Sequence, residues 1–257
     1  MELVELPTLG RTFSTTRRVR LGDVSPSGRL RLDAVARYLQ DIANDDARDA
    51  QLPAFMSWVV RRTDLRVSAP CVFLDEATVT TWCSGAGSHW AERRYRITSP
   101  AGGLVDAATI WVAIDDATGR PVRLVEEFLG IYGEAMNARR VSARLALPAP
   151  PSDASAQSWA ARFSDFDALG HVNNAIAWAI VEEVLSTRRE LRAGPFEVRT
   201  EYGDGILPGA NMRLVTSDVT RNNERGVDAW LTVDGKVRLA MAVRIASEAS
   251  PSEVAVN

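Results

Sequence analysis

The sequence predicts an α+β fold made of two tandem copies of one unit, each an antiparallel sheet wrapped round a central helix. Three observations predict it. VRLGDVSPSGRL at 19–30 aligns without a gap on ARFSDFDALGHV at 161–172, an offset of 142, so that Arg20 meets Arg162, Asp23 meets Asp165 and Gly28 meets Gly170. RRTDL at 61–65 resembles VRTEY at 198–202, setting Arg62 against Arg199, Thr63 against Thr200 and acidic Asp64 against Glu201. Each half also carries one helical stretch followed by long runs of alternating polarity.

Taken in order, the first half opens with a strand at about 16–22 and a helix over about 30–49. Leu32, Val35, Ala36, Leu39 and Ile42 recur at helical spacing on that helix. Strands are expected at 56–69, 77–85, 90–99 and 104–115, where β-branched and aromatic residues alternate with polar ones. PAGG (100–103) and DDATG (115–119) are turn clusters. ALPAPPSDASAQ (146–157) reads as a linker between an N-terminal unit, 1–145, and a C-terminal unit, 158–257. The second half repeats the order: a strand at 158–163, a helix over about 173–190, then strands at 197–203, 211–222, 226–234 and 236–246. RNNERG and VDGK are its hairpin turns, and 247–257 reads as a frayed tail. The run AIAWAIV (175–181) is apolar on every side, and its three alanines favour helix. Such a helix must be wrapped by other structure. A sheet curled round a helix, twice over, is a duplicated hotdog fold.

Composition sets the outer bounds. The chain has 257 residues, 46% of them hydrophobic and 25% charged, which suits a globular protein with a sizeable core. A net charge of −3 and the absence of a basic tail argue against nucleic acid as a partner. No apolar run approaches the ~18 residues of a membrane span, and the N-terminus lacks the pattern of a secretory signal. Two cysteines, Cys71 and Cys83, make no disulfide framework. With only two histidines, no metal site is expected, and the thiols read as packing residues of a cytoplasmic protein. His89 has no acid nearby and reads as structural. The Arg pairs 61–62, 93–94, 139–140 and 188–189 read as solvated edges, any of which could meet an acidic partner.

SDFDALGHVNNAIAW (164–178) packs the most chemistry into one turn. Asp and Asn before a helix are ordinary capping residues. The same start of a helix also presents free N–H groups and partial positive charge, which can stabilise an oxyanion. A carboxylate and an imidazole beside it, Asp167 and His171, supply a base or nucleophile and a hydrogen-bonding partner. The N–H groups from Gly170 to Val172, with Asn173 and Asn174, are the expected oxyanion-holding elements.

D-x-D-x-x-G-H-V-N-N followed by an apolar helix resembles the hotdog thioesterases. The duplicated arrangement, with the motif in the second half, resembles the plant and bacterial acyl-ACP thioesterases over about residues 12–246. The resemblance implies hydrolysis of fatty-acyl thioesters in fatty-acid biosynthesis. The substrate would be carried on acyl carrier protein or, as the alternative, on CoA, with no cofactor required. It implies Asp167 as the catalytic carboxylate, acting as nucleophile or as base for water, with His171 and Glu201 as its companions. Two positions depart from the family pattern: Tyr202 stands where a Cys follows the Glu, and Leu169 where Asn is common. Those departures leave the thioesterase reading standing and are the support for a rival one, a non-catalytic acyl-binding protein. A hydratase of similar fold is disfavoured because DALGH lacks its spacing and its Pro-containing turn. A single site per chain is expected, since Asp167 falls on Ser25 and His171 on Arg29 in the other half. A homodimer is compatible with all of this.

Overall fold

The structure, a computed structural model, describes residues 1–52, 57–115, 117–221 and 224–246. The strands are β1 (Thr12–Arg18), β2 (Ser57–Ala69), β3 (Glu76–Ala86), β4 (Trp90–Thr98) and β5 (Leu104–Ile114). In the second half they are β6 (Ser155–Trp159), β7 (Phe196–Tyr202), β8 (Met212–Arg221), β9 (Glu224–Val233) and β10 (Lys236–Ile245). The helices are α1 (Leu32–Asp49), α2 (Glu126–Met136) and α3 (Asn174–Ser186). Among the described residues the strands form one antiparallel sheet in the order β1-β3-β4-β5-β2-β7-β10-β9-β8-β6.

Read outward from its centre, that order is the same in both halves. The join is the β2–β7 pairing, where Thr63 lies opposite Thr200, Arg62 opposite Glu201 and Asp64 opposite Arg199. The sequence repeat is therefore a pseudo-twofold axis through the Thr63–Thr200 pair. The two helices of the repeat pack on each other inside the curl. Their buried faces, including Leu32, Val35, Leu39 and Ile42 of α1 and Trp178, Ile180 and Val181 of α3, join one core with the inner face of the sheet. The expected wrapping of the apolar α3 is met from both sides.

Several boundaries differ from expectation. The strand expected at 16–22 lies at Thr12–Arg18, and Leu21 sits 75% exposed in a short 3-10 turn at Leu21–Asp23. Its counterpart shifts in the same way: β6 ends at Trp159, and Phe163 is 98% exposed in the 3-10 turn Phe163–Asp165. Ser155 to Gln157, expected in the linker, are thus strand residues paired to β8. The helix expected to 190 ends at Ser186, and a separate 3-10 turn follows at Arg189–Arg192. The sequence reading placed no element over α2. That helix lies against β3 with Phe128, Tyr132 and Met136 buried beside Cys83. Arg93 and Arg94 are not solvated edges. Both are buried, Arg93 against Asp46 and Arg94 against Glu92. The turn position Asp116, the tip of RNNERG at 222–223, Met56 and the tail 247–257 lie outside the described residues.

Candidate active site

The loop between the Phe163–Asp165 turn and α3 is held by its own backbone. Asp167 N–H donates to the His171 carbonyl (2.9 Å), Gly170 N–H to the Asp167 carbonyl (3.0 Å), and Asn173 N–H to the Asp165 carbonyl (2.8 Å). Gly170 adopts φ +75°, a left-handed conformation that other side chains resist, which explains glycine at this turn. Val172 N–H donates across to the Ile206 carbonyl (2.9 Å), tying the loop to the chain after β7. Asn173 is the N-cap of α3, and its Oδ1 accepts from Ala175 N–H at 2.8 Å.

These bonds refine the expected oxyanion elements. The N–H groups of Gly170, Val172 and Asn173 are consumed within the scaffold. Asn174, the first residue of α3, keeps both its backbone N–H and its side-chain amide without a hydrogen bond among the described residues. Both it and its neighbours line a cleft of about 220 Å³. The positive end of the helix dipole is thus presented through Asn174.

Asp167 is half-buried at the cleft. Its Oδ1 accepts from Leu169 N–H (2.9 Å) and, at 3.4 Å, from His171 N–H, which orients the carboxylate. Its Oδ2 makes no such bond among the described residues. His171 is exposed and lines the same cleft. Its ring lies over Gly205, where a Cβ would come within 2.6 Å of Cδ2, so a larger residue there would push the imidazole from this position. Leu169 is 81% exposed at the rim, and the loop uses its backbone rather than its side chain.

Glu201 does not join them. Side chains alternate across a strand, so Val198, Thr200 and Tyr202 of β7 point to the helices while Glu201 points to the outer face. There its carboxylate accepts from the N–H groups of Ala146 (2.8 Å) and Leu147 (3.1 Å). It fastens the linker to the back of the sheet. The residue that does reach the site is Tyr202, which the sequence reading took only as a departure. Its buried hydroxyl accepts from Trp178 Nε1 (3.0 Å) and lies 3.1 Å from Thr200 Oγ1 and 3.5 Å from the Asn174 carbonyl. Burial pushes its phenol up, so it stays protonated and seats the first turn of α3 on the strand. Its signal was available: two residues on from Thr200, it belongs to the inner face.

Apolar space continues inward. A cavity of about 20 Å³ between α1 and α3 shares Val60, Asn174 and Tyr202 with the cleft. A third cavity, of about 100 Å³, lies beyond Trp111 and reaches Ala43, Ala47, Cys83 and Phe128. Burial pushes the Cys83 thiol up to about 11, so it remains a neutral packing group. Among the described residues no three His, Cys, Asp or Glu side chains converge as a metal site, and no helix is long and apolar enough to cross a membrane.

Comparison with known proteins decides the lineage. Residues 10–132 match the acyl-ACP thioesterase N-terminal domain, and residues 149–245 match the acyl-ACP thioesterase C-terminal domain. The chain belongs to the acyl-ACP thioesterase family. It is a fatty-acyl thioester hydrolase. The uncharacterized protein Rv2001 of Mycobacterium tuberculosis is 31% identical over 215 residues, covering 83% of this chain and 86% of that one. Among solved structures, the 12:0-ACP thioesterase of Umbellularia californica matches with a TM-score of 0.75 at 20% identity, covering 91% of this chain and 93% of that one. An acyl-ACP thioesterase of Bacteroides thetaiotaomicron matches with a TM-score of 0.66 at 18% identity, covering 91% and 97%. These likenesses show the same double-hotdog fold. The family match also favours the hydrolase over the rival, non-catalytic reading.

Proposed function

We propose that this thioesterase releases fatty acids from acyl carrier protein during cytoplasmic fatty-acid biosynthesis, at the cleft where α3 begins. The observation that carries the reading is the meeting of Asp167, His171 and the unpaired Asn174 N–H in one cleft that continues into apolar space along α1. The α1 residues facing that space run from Ala36 to Ala47, roughly 16 Å at ~1.5 Å per residue. The cavity of about 20 Å³ holds no more than a water, so an acyl chain would enter the space of about 100 Å³ beside Ala43 and Ala47 past Trp58, which lines both that space and the cleft. The two buried free thiols suit a reducing compartment.

In this reading Asp167 is the general base. With Oδ1 anchored to the loop, Oδ2 takes a proton from water, and the water oxygen bonds to the thioester carbonyl carbon. The oxyanion is held by the Asn174 N–H and the positive end of α3. The C–S bond then breaks, and the thiolate leaves with the proton returned from Asp167, giving free acid and carrier thiol. His171 orients the thioester from the open side of the cleft. Glu201 has no part in the step. Its place is structural, on the linker.

The test is thiol release from acyl-ACP and acyl-CoA across acyl lengths, with wild type and Asp167→Asn compared. The amide still accepts from Leu169 N–H but cannot take a proton. The variant is expected to stay folded and to lose at least about 10²-fold in kcat. Release near the wild-type rate would remove Asp167 from the mechanism, and a preference for CoA would overturn the carrier.

A further inference from the structure

The two halves place the same backbone at the two ends of the helix pair and fill it with different chemistry. Leu32 and Asn174, 142 residues apart, are the first residues of α1 and α3. Ser25 N–H donates to the Arg29 carbonyl at 2.8 Å, as Asp167 N–H donates to the His171 carbonyl at 2.9 Å. Arg31 N–H donates to the Asp23 carbonyl, as Asn173 N–H donates to the Asp165 carbonyl.

At the first-half end the helix N-terminus is capped, beside a cavity of about 250 Å³ lined by Arg29, Leu30, Leu32 and Val35. Glu182, on α3, accepts the Leu32 N–H at 2.8 Å and holds Arg29 through both oxygens, at 2.9 and 2.5 Å. The same offset carries Glu182 back onto Gln40 of α1. Gln40 lines the cavity of about 20 Å³ together with Asn174 and Tyr202. That volume admits one water molecule, and a water needs polar partners. The amides of Gln40 and Asn174 and the N–H of Asn174 have no hydrogen bond among the described residues, so they can provide them.

We propose that Gln40 is a further catalytic residue, contributed by the first half to the site in the second. Its amide holds the attacking water between the two helices. Being neutral, it leaves the Asn174 N–H to the thioester oxygen, where a carboxylate would capture that N–H as Glu182 captures that of Leu32. The inference rests on the site assignment above, in which Asp167 takes the proton of that water from the adjoining cleft, which shares Val60, Asn174 and Tyr202 with this cavity.

The experiment is thiol release from acyl-ACP by Gln40→Glu and Gln40→Met, read as kcat, KM and pH profile, with thermal unfolding of each variant. Near neutrality Gln40→Glu is expected to lose about 10²-fold or more in kcat with KM little changed. Its kcat relative to wild type at the same pH should rise on acidification as the new carboxyl becomes neutral, while Asp167 titrates alike in both. Gln40→Met, of similar size and uncharged, should be slow at every pH. Folded variants that both turn over at the wild-type rate would overturn the proposal, as would a Gln40→Glu profile parallel to the wild type. If Gln40→Glu does not fold, Gln40→Met decides alone. Asp167→Asn in the same assay keeps the two readings apart. An inactive Asp167→Asn beside active Gln40 variants sinks only the role of Gln40, whereas an active Asp167→Asn sinks the site.

Discussion

Replacing Glu182 by Ala should unfasten the first half's helix end without touching turnover. The change leaves the Arg29 guanidinium, 12% exposed, without its bidentate partner, and leaves the Leu32 N–H without an acceptor. Removing one member of a buried ion pair costs about 3–5 kcal/mol. Because this pair is about a tenth exposed at both side chains, the low end applies. Loss of a capping acceptor adds about 1 kcal/mol. A loss near 4 kcal/mol should lower Tm by roughly 8–16 °C in a chain of this size, at ~2–4 °C per kcal/mol. Glu182→Gln, which keeps a carbonyl for Leu32 N–H, should lose less. In a double-mutant cycle, Arg29→Ala with Glu182→Ala should couple by roughly 1–3 kcal/mol. Urea unfolding gives the stabilities, and thiol release per folded molecule gives kcat. A stability change under about 1 kcal/mol, or a collapse of kcat in the folded variant, would refute the assignment of this end to structure alone.

Two further outcomes follow from the packing. Leu39, buried on the wall of the small cavity between the helices, becomes an obstacle as Trp: Leu39→Trp should shift preference toward shorter acyl chains and lower stability by about 1–3 kcal/mol from overpacking. A length profile unchanged in the folded variant would place the acyl chain elsewhere. Glu92 governs part of the acid limb of stability. Burial pushes its carboxyl up, but the Arg94 charge and hydrogen bonds from Ser84 and Arg139 outweigh it and hold the carboxyl below its usual range. A depressed folded pKa contributes stability that is full above the unfolded value of about 4.3 and is lost as pH falls through the folded value. Glu92→Gln should therefore be less stable at neutral pH and decline less between about pH 5 and 3. Parallel urea-midpoint curves would show that the carboxylate contributes nothing there.

The repeat was legible because it is carried by residues with strict backbone duties. Gly28 and Gly170 share a positive φ, and Asp23 and Asp165 each fold back on the N–H three residues earlier. Strand lengths and the all-round apolar α3 followed from periodicity. The errors sit where periodicity is weakest. Leu21 and Phe163 extended the apparent alternation past the true strand ends, yet both are exposed in 3-10 turns. α2 was hidden because Gly130 and Gly133 weaken the helical pattern of Phe128, Tyr132 and Met136. Arg93 and Arg94 looked solvent-facing because their acidic partners, Asp46 and Glu92, are not all neighbours in sequence. For the site, motif spacing brought Asp167, His171 and Asn174 together. It could not say which N–H groups the loop consumes, and by itself it passes over the strand alternation that turns Glu201 outward and Tyr202 inward.

The pseudo-twofold relates two ends of the helix pair that carry different chemistry. Each helix of the pair starts at one end of the core and presents N–H groups that must be satisfied. At one end the chain answers with a carboxylate and a guanidinium, which take up the helix N–H and bind the halves together. At the other it answers with uncharged amides and leaves an opening beside Asp167 and His171. An end that stays open cannot also be the strongest clasp, because the groups that would fasten it are the ones a substrate must meet. Duplication within one chain lets the two duties separate. Arg29 of the first half and Glu182 of α3 together make the clasp, α1 and α3 share the walls of the apolar space, and the second half supplies the carboxylate and imidazole of the cleft. The sheet joining them through Thr63 and Thr200 keeps the helix of one half in register with the loop of the other.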